Sequence, residues 1–353
     1  MATRTTAAAM SCLGYVLLVA GALLAAAAGD NAKIGVCHGR VGTNLPAPEA
    51  AAALLKQNGI TKARLFLPDP AVLPAFAAAG IDLTVGVPNE NLTFLSSSGP
   101  DGALQWLRSN GLTAVAARLR YLVVGNEVLY NNQFYAPHLV PAMRNLHAAL
   151  AALGMDGAVK VSSAHASSVL AASYPPSAGA FDGAVLDVLR PMLRFLADTG
   201  APFMVNAYPF ISHVSDPANV PLAYALSSGS GAAAATVVRD GGLAYTGLFD
   251  ATVDAVAAAL EREGFGGVAV AVTETGWPTA GHPAATLENA AVYNGGVAER
   301  AARGAGTPRR PGAPVEVFLF DLYDEDGKPG AEFERHFGIF RADGSKAYDI
   351  SFA

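Results

Sequence analysis

Short, valine-rich apolar runs recur along the chain, each broken off by turn residues. They span Ile34 to Gly39, Ala63 to Asp69, Asp82 to Val87, Tyr121 to Val128, Val159 to His165, Phe203 to Phe210, Val268 to Glu274 and Val315 to Tyr323. Their hydrophobicity is continuous rather than alternating, the pattern of strands covered on both faces, so they predict a parallel sheet in an α/β fold. Segments with helical spacing lie between them. Pro48 to Asn58 is closed by Gly59, Pro70 to Ala79 by Gly80, Pro141 to Leu153 by Gly154, and Phe249 to Glu263 by Gly264. A glycine just past the last helical residue supplies the left-handed conformation that ends many helices. Eight strands in a β-α repeat predict a single (β/α)8 TIM barrel, with its chemistry on the loops leaving the carboxyl ends of the strands. The Ser/Gly/Ala stretch from Ser227 to Ala235 reads as an irregular loop insertion rather than a domain boundary.

The first 29 residues stand outside this repeat. Arg4 precedes an apolar stretch from Cys12 to Ala28, and Ala26-Ala27-Ala28-Gly29 offers small residues for cleavage, the layout of a secretory signal peptide. An uncleaved anchor is the alternative. The expected organisation is a signal over residues 1–29 and one domain over 30–353, secreted without stable membrane insertion, because no second such run follows. With Cys12 in the signal, Cys37 is left alone within Ile34-Gly35-Val36-Cys37, where it reads as a small buried hydrophobe. Net charge is −6, one unit more negative once Arg4 leaves, and there is no dense basic face. Nucleic acid is therefore not an expected partner. The nearest basic cluster, Arg300, Arg303, Arg309 and Arg310, is interleaved with Gly and Pro and predicts solvated charge on a surface loop.

Two of the apolar runs drive into a glutamate, in Val123-Val124-Gly125-Asn126-Glu127-Val128 and in Val272-Thr273-Glu274-Thr275-Gly276-Trp277-Pro278. A carboxylate at the end of a buried strand is costly to desolvate unless it is paired or used. At the ends of the fourth and seventh strands both would share one rim of the barrel, and two facing carboxyl groups are what glycosidic bond cleavage needs. A strand-capping salt bridge accounts for either segment alone, but less well for the two together. Other chemistries find little support: the seven histidines lack the spaced pairs of a zinc site, and there is no Gly-x-Ser-x-Gly elbow or lysine-bearing phosphate loop. No metal and no cofactor is implied.

At these residues the chain resembles the plant endo-1,3-beta-glucosidases of glycoside hydrolase family 17. The likeness runs in order through Ile34-Gly35-Val36-Cys37, Leu139-Val140-Pro141-Ala142-Met143-Arg144-Asn145-Leu146 and Tyr174-Pro175-Pro176-Ser177-Ala178-Gly179. It continues through Asn206-Ala207-Tyr208-Pro209, Thr275-Gly276-Trp277-Pro278 and Phe337-Gly338-Ile339-Phe340, covering residues 34 to 352. The resemblance implies a retaining hydrolase of β-glucan polysaccharide of the callose or laminarin type, with Glu127 as acid/base and Glu274 as nucleophile. It also implies a monomer in the cell wall or apoplast, serving defence or wall remodelling.

Further roles follow from the same likeness. Asn126 would bond the sugar 2-hydroxyl, and Tyr208 would either bond the nucleophile or fill the core. Trp277 would be a stacking platform or a rim-packing residue. Glu325, Lys328 and Glu334 fall where the family places charges around the cleft, although Asp324-Glu325-Asp326 also reads as a solvated acidic loop. His38 and Phe66 stand where the family commonly has tyrosine on the cleft floor. Phe66 keeps a face for stacking on sugar, and a protonated His38 would lower the pKa values of both glutamates. Asn91-Leu92-Thr93 is an acceptor for N-glycosylation in an exported chain. Two alternatives stay open: hydrolysis of mixed 1,3;1,4-beta-glucan on the same barrel, and a noncatalytic β-glucan-binding protein that kept the cleft.

Overall fold

The computed structural model describes residues 34–131, 133–227 and 237–352. The expected signal over 1–29, and all of the 227–235 insertion except Ser227, lie outside the described residues. Eight strands coincide with the eight apolar runs: β1 (Ile34–Cys37), β2 (Lys62–Leu65), β3 (Asp82–Val87), β4 (Leu119–Asn126), β5 (Lys160–Ala166), β6 (Phe203–Asn206), β7 (Val270–Thr275) and β8 (Glu316–Leu319). Each pairs in parallel with the next, and β8 returns to β1 with Val36 opposite Leu319, closing the barrel.

Helices pack around it, among them α1 (Pro48–Gln57), α2 (Val72–Ala78), α3 (Leu92–Ser97), α4 (Gly99–Ser109), α5 (Ala136–Ala152), α6 (Leu186–Thr199), α7 (Leu248–Arg262) and α8 (Leu287–Ala302). Gly59, Gly80, Gly154 and Gly264 take positive φ, as their places after helices predict. Pro141 does not open its helix. Pro137 holds the first-turn position of α5, where a missing N–H is harmless, and Pro141 lies one turn further in.

The main core fills the space between sheet and helices, with Leu55, Phe76, Leu146, Leu193, Phe249 and Val297 buried there. Inside the barrel only a small apolar layer remains, made of Val123, Ala164, Met204 and Ala271. Side chains alternate along a strand, so Lys62 and Arg64 of β2 share one face. At the amino-terminal end of the barrel, Lys62 Nζ lies 2.7 Å from Glu316 Oε1, and the Tyr121 hydroxyl donates to Glu316 Oε2 at 2.9 Å. Charge matched in pairs thus replaces part of the apolar filling.

Of the basic cluster near residue 300, Arg303 is exposed, paired with an equally exposed Glu299, but the other three arginines are not solvated loop charge. Arg300 lies on α8, is buried, and pairs with Asp250 of α7 at 2.8 Å. Arg309 and Arg310 both reach Glu261, and the Arg309 N–H donates to Asp254 at 2.8 Å. The segment after α8 is strapped onto α7 by these contacts. Among the described residues, no helix is long and apolar enough to cross a membrane.

Of the four register shifts between barrel strands among the described residues, two bear on the glutamates. Pairing of β4 with β5 shifts between Val123 and Asn126, and pairing of β7 with β6 shifts between Val272 and Glu274. Such bulges re-aim side chains at the rim of a barrel, and these two fall where the glutamates stand.

Candidate active site

Glu127 follows the last residue of β4 with a φ of 51°, and Gly125 two residues earlier has a φ of 70°. The Glu127 N–H donates to the carbonyl of Ala164 on β5 at 2.9 Å. Glu274 lies near the end of β7, and Asn206 ends β6 between them. The Asn206 Nδ2 donates to Glu127 Oε1 and to Glu274 Oε1, at 3.0 Å each. Its Oδ1 accepts from the Thr273 hydroxyl at 2.9 Å, which fixes the orientation of the amide. Contacts of 3.0 Å to one nitrogen keep those two oxygens no more than about 6 Å apart.

Arg64 approaches Glu274 from the barrel interior. Its Nη1 donates to Glu274 Oε1 and to the Thr273 carbonyl, both at 2.7 Å, and its Nη2 donates to Asn126 Oδ1 at 2.8 Å. On the other side the Tyr208 hydroxyl donates to Glu274 Oε2 at 2.8 Å. Glu274 is therefore held by a cation, a phenol and an amide, whereas Glu127 has the amide alone among these three.

The surroundings separate the two carboxyls. Burial, and then the charge of Glu274, raise the Glu127 pKa above the usual carboxyl value; Asn206 and Arg64 oppose this, and Glu334 adds to it. Burial alone would lower the pKa of Arg64, but Glu274, with Cys37 and Tyr208 adding, more than reverses that, and the guanidinium stays charged. Burial and then Glu274 push the Tyr208 phenol well up, so it remains a donor. The site thus holds a carboxyl that favours its proton beside one tied to a fixed cation, the arrangement needed for one proton donor and one attacking carboxylate.

Beside Asn126 opens a cleft of about 150 Å³, lined by Arg64, Phe66, Pro88, Asn89, Glu90 and Asn126 among others. The sequence profile of glycosyl hydrolases family 17 matches residues 34–352. The chain belongs to that family. An acidic-isoform glucan endo-1,3-beta-glucosidase from Zea mays is 42% identical over 354 residues, covering 100% of both chains. A glucan endo-1,3-beta-glucosidase from Vitis vinifera is 41% identical over 324 residues, covering 91% of this chain and 92% of its own. Among solved structures, CJP38, a beta-1,3-glucanase and allergen of Cryptomeria japonica pollen, superposes with a TM-score of 0.85 at 41% identity, covering 91% of this chain and 99% of that one. The chain is accordingly an O-glycosyl hydrolase on a (β/α)8 barrel.

Within this family 17 enzyme, the residues anticipated from sequence divide into two groups. Glu127, Glu274, Asn126 and Tyr208 form one bonded set. Phe66 borders the cleft, with the Arg64 guanidinium 4.7 Å from its ring centre and Phe320 edge-on at 6.0 Å. Lys328 and Glu334 are half-buried close by. Lys328 Nζ sits 3.9 Å from the Phe320 ring centre, and burial raises the Glu334 pKa, with Lys328 opposing and Glu274 adding. Asn91 lies apart from these, in the turn Asn89–Asn91 that leads into α3.

Three expectations need correction. Trp277 is fully buried, its indole N–H donates to the Ala284 carbonyl at 2.8 Å, and its ring packs on Phe210 and Tyr293; it offers no face to a sugar. His38 is 1% exposed, stacked on Phe76 and edge-on to Tyr323. Burial and then Arg40 lower its pKa to about 4, with Asp69 opposing, so it supplies no cation to the cleft at neutral pH. Glu325 is neither solvated nor open to ligand. It is buried, accepts the Val41 N–H at 2.9 Å and pairs with Lys328 at 3.2 Å.

Arg64 and Asn206 were the functional neighbours hardest to see in the linear sequence. The signal for Arg64 was available: an arginine between Ala63 and Leu65 in a doubly covered strand meets the same desolvation argument as the glutamates. Asn206 announces itself only through the barrel, which sets the end of β6 between the ends of β4 and β7. Cys37 is buried as expected, and burial pushes its thiol pKa well up.

Proposed function

We propose that this enzyme is an endo-hydrolase of 1,3-β-glucan that retains anomeric configuration. Glu274 attacks the anomeric carbon as the glycosidic bond breaks, and Glu127 gives its proton to the departing oxygen. Water then attacks the glycosyl–Glu274 ester while Glu127 takes its proton back, releasing the sugar and regenerating both carboxyls. The observation that carries this reading is the single Asn206 amide shared by the two glutamates. An oxygen separation of at most about 6 Å favours the ~5–5.5 Å spacing of retaining enzymes over the ~6.5–9.5 Å that an inverting water requires. The 1,3-linkage rests on the relatives from Zea mays and Vitis vinifera, each carrying that activity in its name.

Asn126 is proposed to reach the 2-hydroxyl of the sugar at the cleavage point, its Oδ1 being already held by Arg64. Phe66, Lys328 and Glu334 are proposed to contact the chain along the cleft. The signal-like residues 1–29 support secretion of the domain over 30–353, as a monomer, with glycan on Asn91.

The test is a pair of variants with product analysis. Glu274→Gln should lose several orders of magnitude in turnover while still binding laminari-oligosaccharides. Glu127→Ala should be rescued by azide on an activated aryl glycoside to give a β-configured glycosyl azide; an α-configured product would overturn the assignment. Laminarin cleaved much faster than a mixed 1,3;1,4-glucan supports the linkage proposed, and the reverse order would replace it.

A further inference from the structure

Asn89 is hydrogen-bonded to neither glutamate, yet among the described residues it is the side chain that grips the backbone leading into Glu127. It follows Pro88 at the end of β3 and crosses to β4. Its Oδ1 accepts the Asn126 N–H at 2.8 Å, and its Nδ2 donates to the Asn126 carbonyl at 3.1 Å. Both backbone groups of a single residue are thereby satisfied by one side chain, in the manner of a rung in a strand ladder.

The need for such a rung is local. The β4–β5 register slips between Val123 and Asn126 and resumes at Asn126 opposite Ala164, whereas the β3–β4 pairing ends at Val87 opposite Val124, so on the β3 side the regular ladder stops short of Asn126. Asn126 is also flanked by two left-handed residues, Gly125 at φ 70° and Glu127 at φ 51°. For glutamate that conformation is unfavourable by about 1–2 kcal/mol and persists only where the surroundings over-determine it. Gly125 itself has no room to change: a Cβ there would lie 2.5 Å from Val128 Cγ2 and 3.0 Å from Asn89 Oδ1. Without Asn89, Glu127 would keep its own N–H bond to Ala164 and the amide of Asn206, but the peptide before it would be free to turn.

We propose that Asn89 is a positioning residue that holds the acid/base Glu127 in its left-handed conformation through the backbone of Asn126. This rests on the assignment of Glu127 as acid/base. A proton donor displaced by about 1 Å loses on the order of 100-fold in rate. The loss is specific to leaving groups that need a proton. A dinitrophenolate departs unaided, so its release is insensitive to where Glu127 stands.

The experiment compares kcat/KM, which covers only the steps through glycosylation, on a laminari-oligosaccharide and on dinitrophenyl β-laminaribioside. Asn89→Ala should lose about 100-fold on the oligosaccharide and less than about threefold on the dinitrophenyl substrate. Asn89→Asp keeps the acceptor for the Asn126 N–H and should show the same selectivity with a smaller loss, about tenfold. Both substrates are measured on one preparation, so any unfolded fraction cancels from the ratio; if Asn89→Ala does not fold, Asn89→Asp carries the test. Equal losses on the two substrates, as a sugar contact or a purely structural role would give, would overturn the proposal, as would no loss. Glu127→Ala serves as the reference. Equal losses on both substrates in that variant would overturn the acid/base assignment itself, a result distinguishable from failure of Asn89 alone.

Discussion

Replacing Arg64 with methionine tests whether the barrel interior is organised around an anion that must be neutralised. Arg64 is 1% exposed and Glu274 is 7% exposed, so neither charge is relieved by water when the other is removed. Arg64→Met strips Glu274 of its 2.7 Å ion pair and orphans acceptors on Thr273 and Asn126. Breaking a buried pair of this kind destabilises by about 3–5 kcal/mol. In a Glu274→Gln background no anion is left stranded, and the same substitution forfeits only hydrogen bonds to neutral acceptors, about 1–3 kcal/mol. A double-mutant cycle should therefore report a coupling of about 2 kcal/mol. The assay is guanidinium unfolding of the wild type, both single variants and the double variant, followed by fluorescence of the buried Trp106 and Trp277. Midpoints carry the comparison if the slopes agree. Costs that add to within about 0.5 kcal/mol would refute the reasoning, because Arg64 would then be a packing residue whose charge Glu274 does not need.

Other consequences are equally open to measurement. Tyr208→Phe removes a 2.8 Å bond to Glu274, worth about 1.5–3 kcal/mol for a charged acceptor, and should lower kcat/KM on laminarin by about 10- to 100-fold; an unchanged value would show that the phenol is not used. His38 and His165 are both buried, with burial lowering each pKa to about 4. The unfolded chain takes up protons first as pH falls below about 6.5, so stability should decline from there down to about pH 4. His38→Phe should flatten that decline by about 3 kcal/mol and leave the alkaline limb of activity in place, as denaturation curves and rate profiles across pH will show. Expression in a eukaryotic secretory host should yield a chain heavier than its sequence from Asp30 by one N-glycan, and Asn91→Gln should remove that mass; a bare intact mass for the wild type would exclude the modification.

The barrel was legible because doubly covered strands leave an unmistakable record of apolar runs, and because glycine ends helices by conformation rather than by contact. Glu127 and Glu274 stood out for a related reason: a strand-capping salt bridge explains one charge inside such a run more readily than it explains two. Side chains whose meaning depends on what lies across the barrel were not. His38 reads identically whether it faces a cleft or stacks on Phe76, and Trp277 whether it floors a sugar site or plugs the space beside Phe210. Arg300 was misplaced because its neighbours in sequence are loop-like, whereas its partner, Asp250, lies on another helix. Periodicity reports how much of a residue is covered, but not by what.

Among the described residues, Glu127 is the one non-glycine with a left-handed φ, and it carries a half-buried carboxyl close to another. Glycine at 127 would relieve the backbone and delete the repulsion at once, a gain of about 1 kcal/mol or more. The position most in need of repair on thermodynamic grounds is thus the one proposed to supply the proton for turnover. A breeding or laboratory selection that rewarded heat tolerance without asking for sugar release would be drawn toward that codon. Catalytic competence here is a debt that only continuous selection for activity keeps on the books.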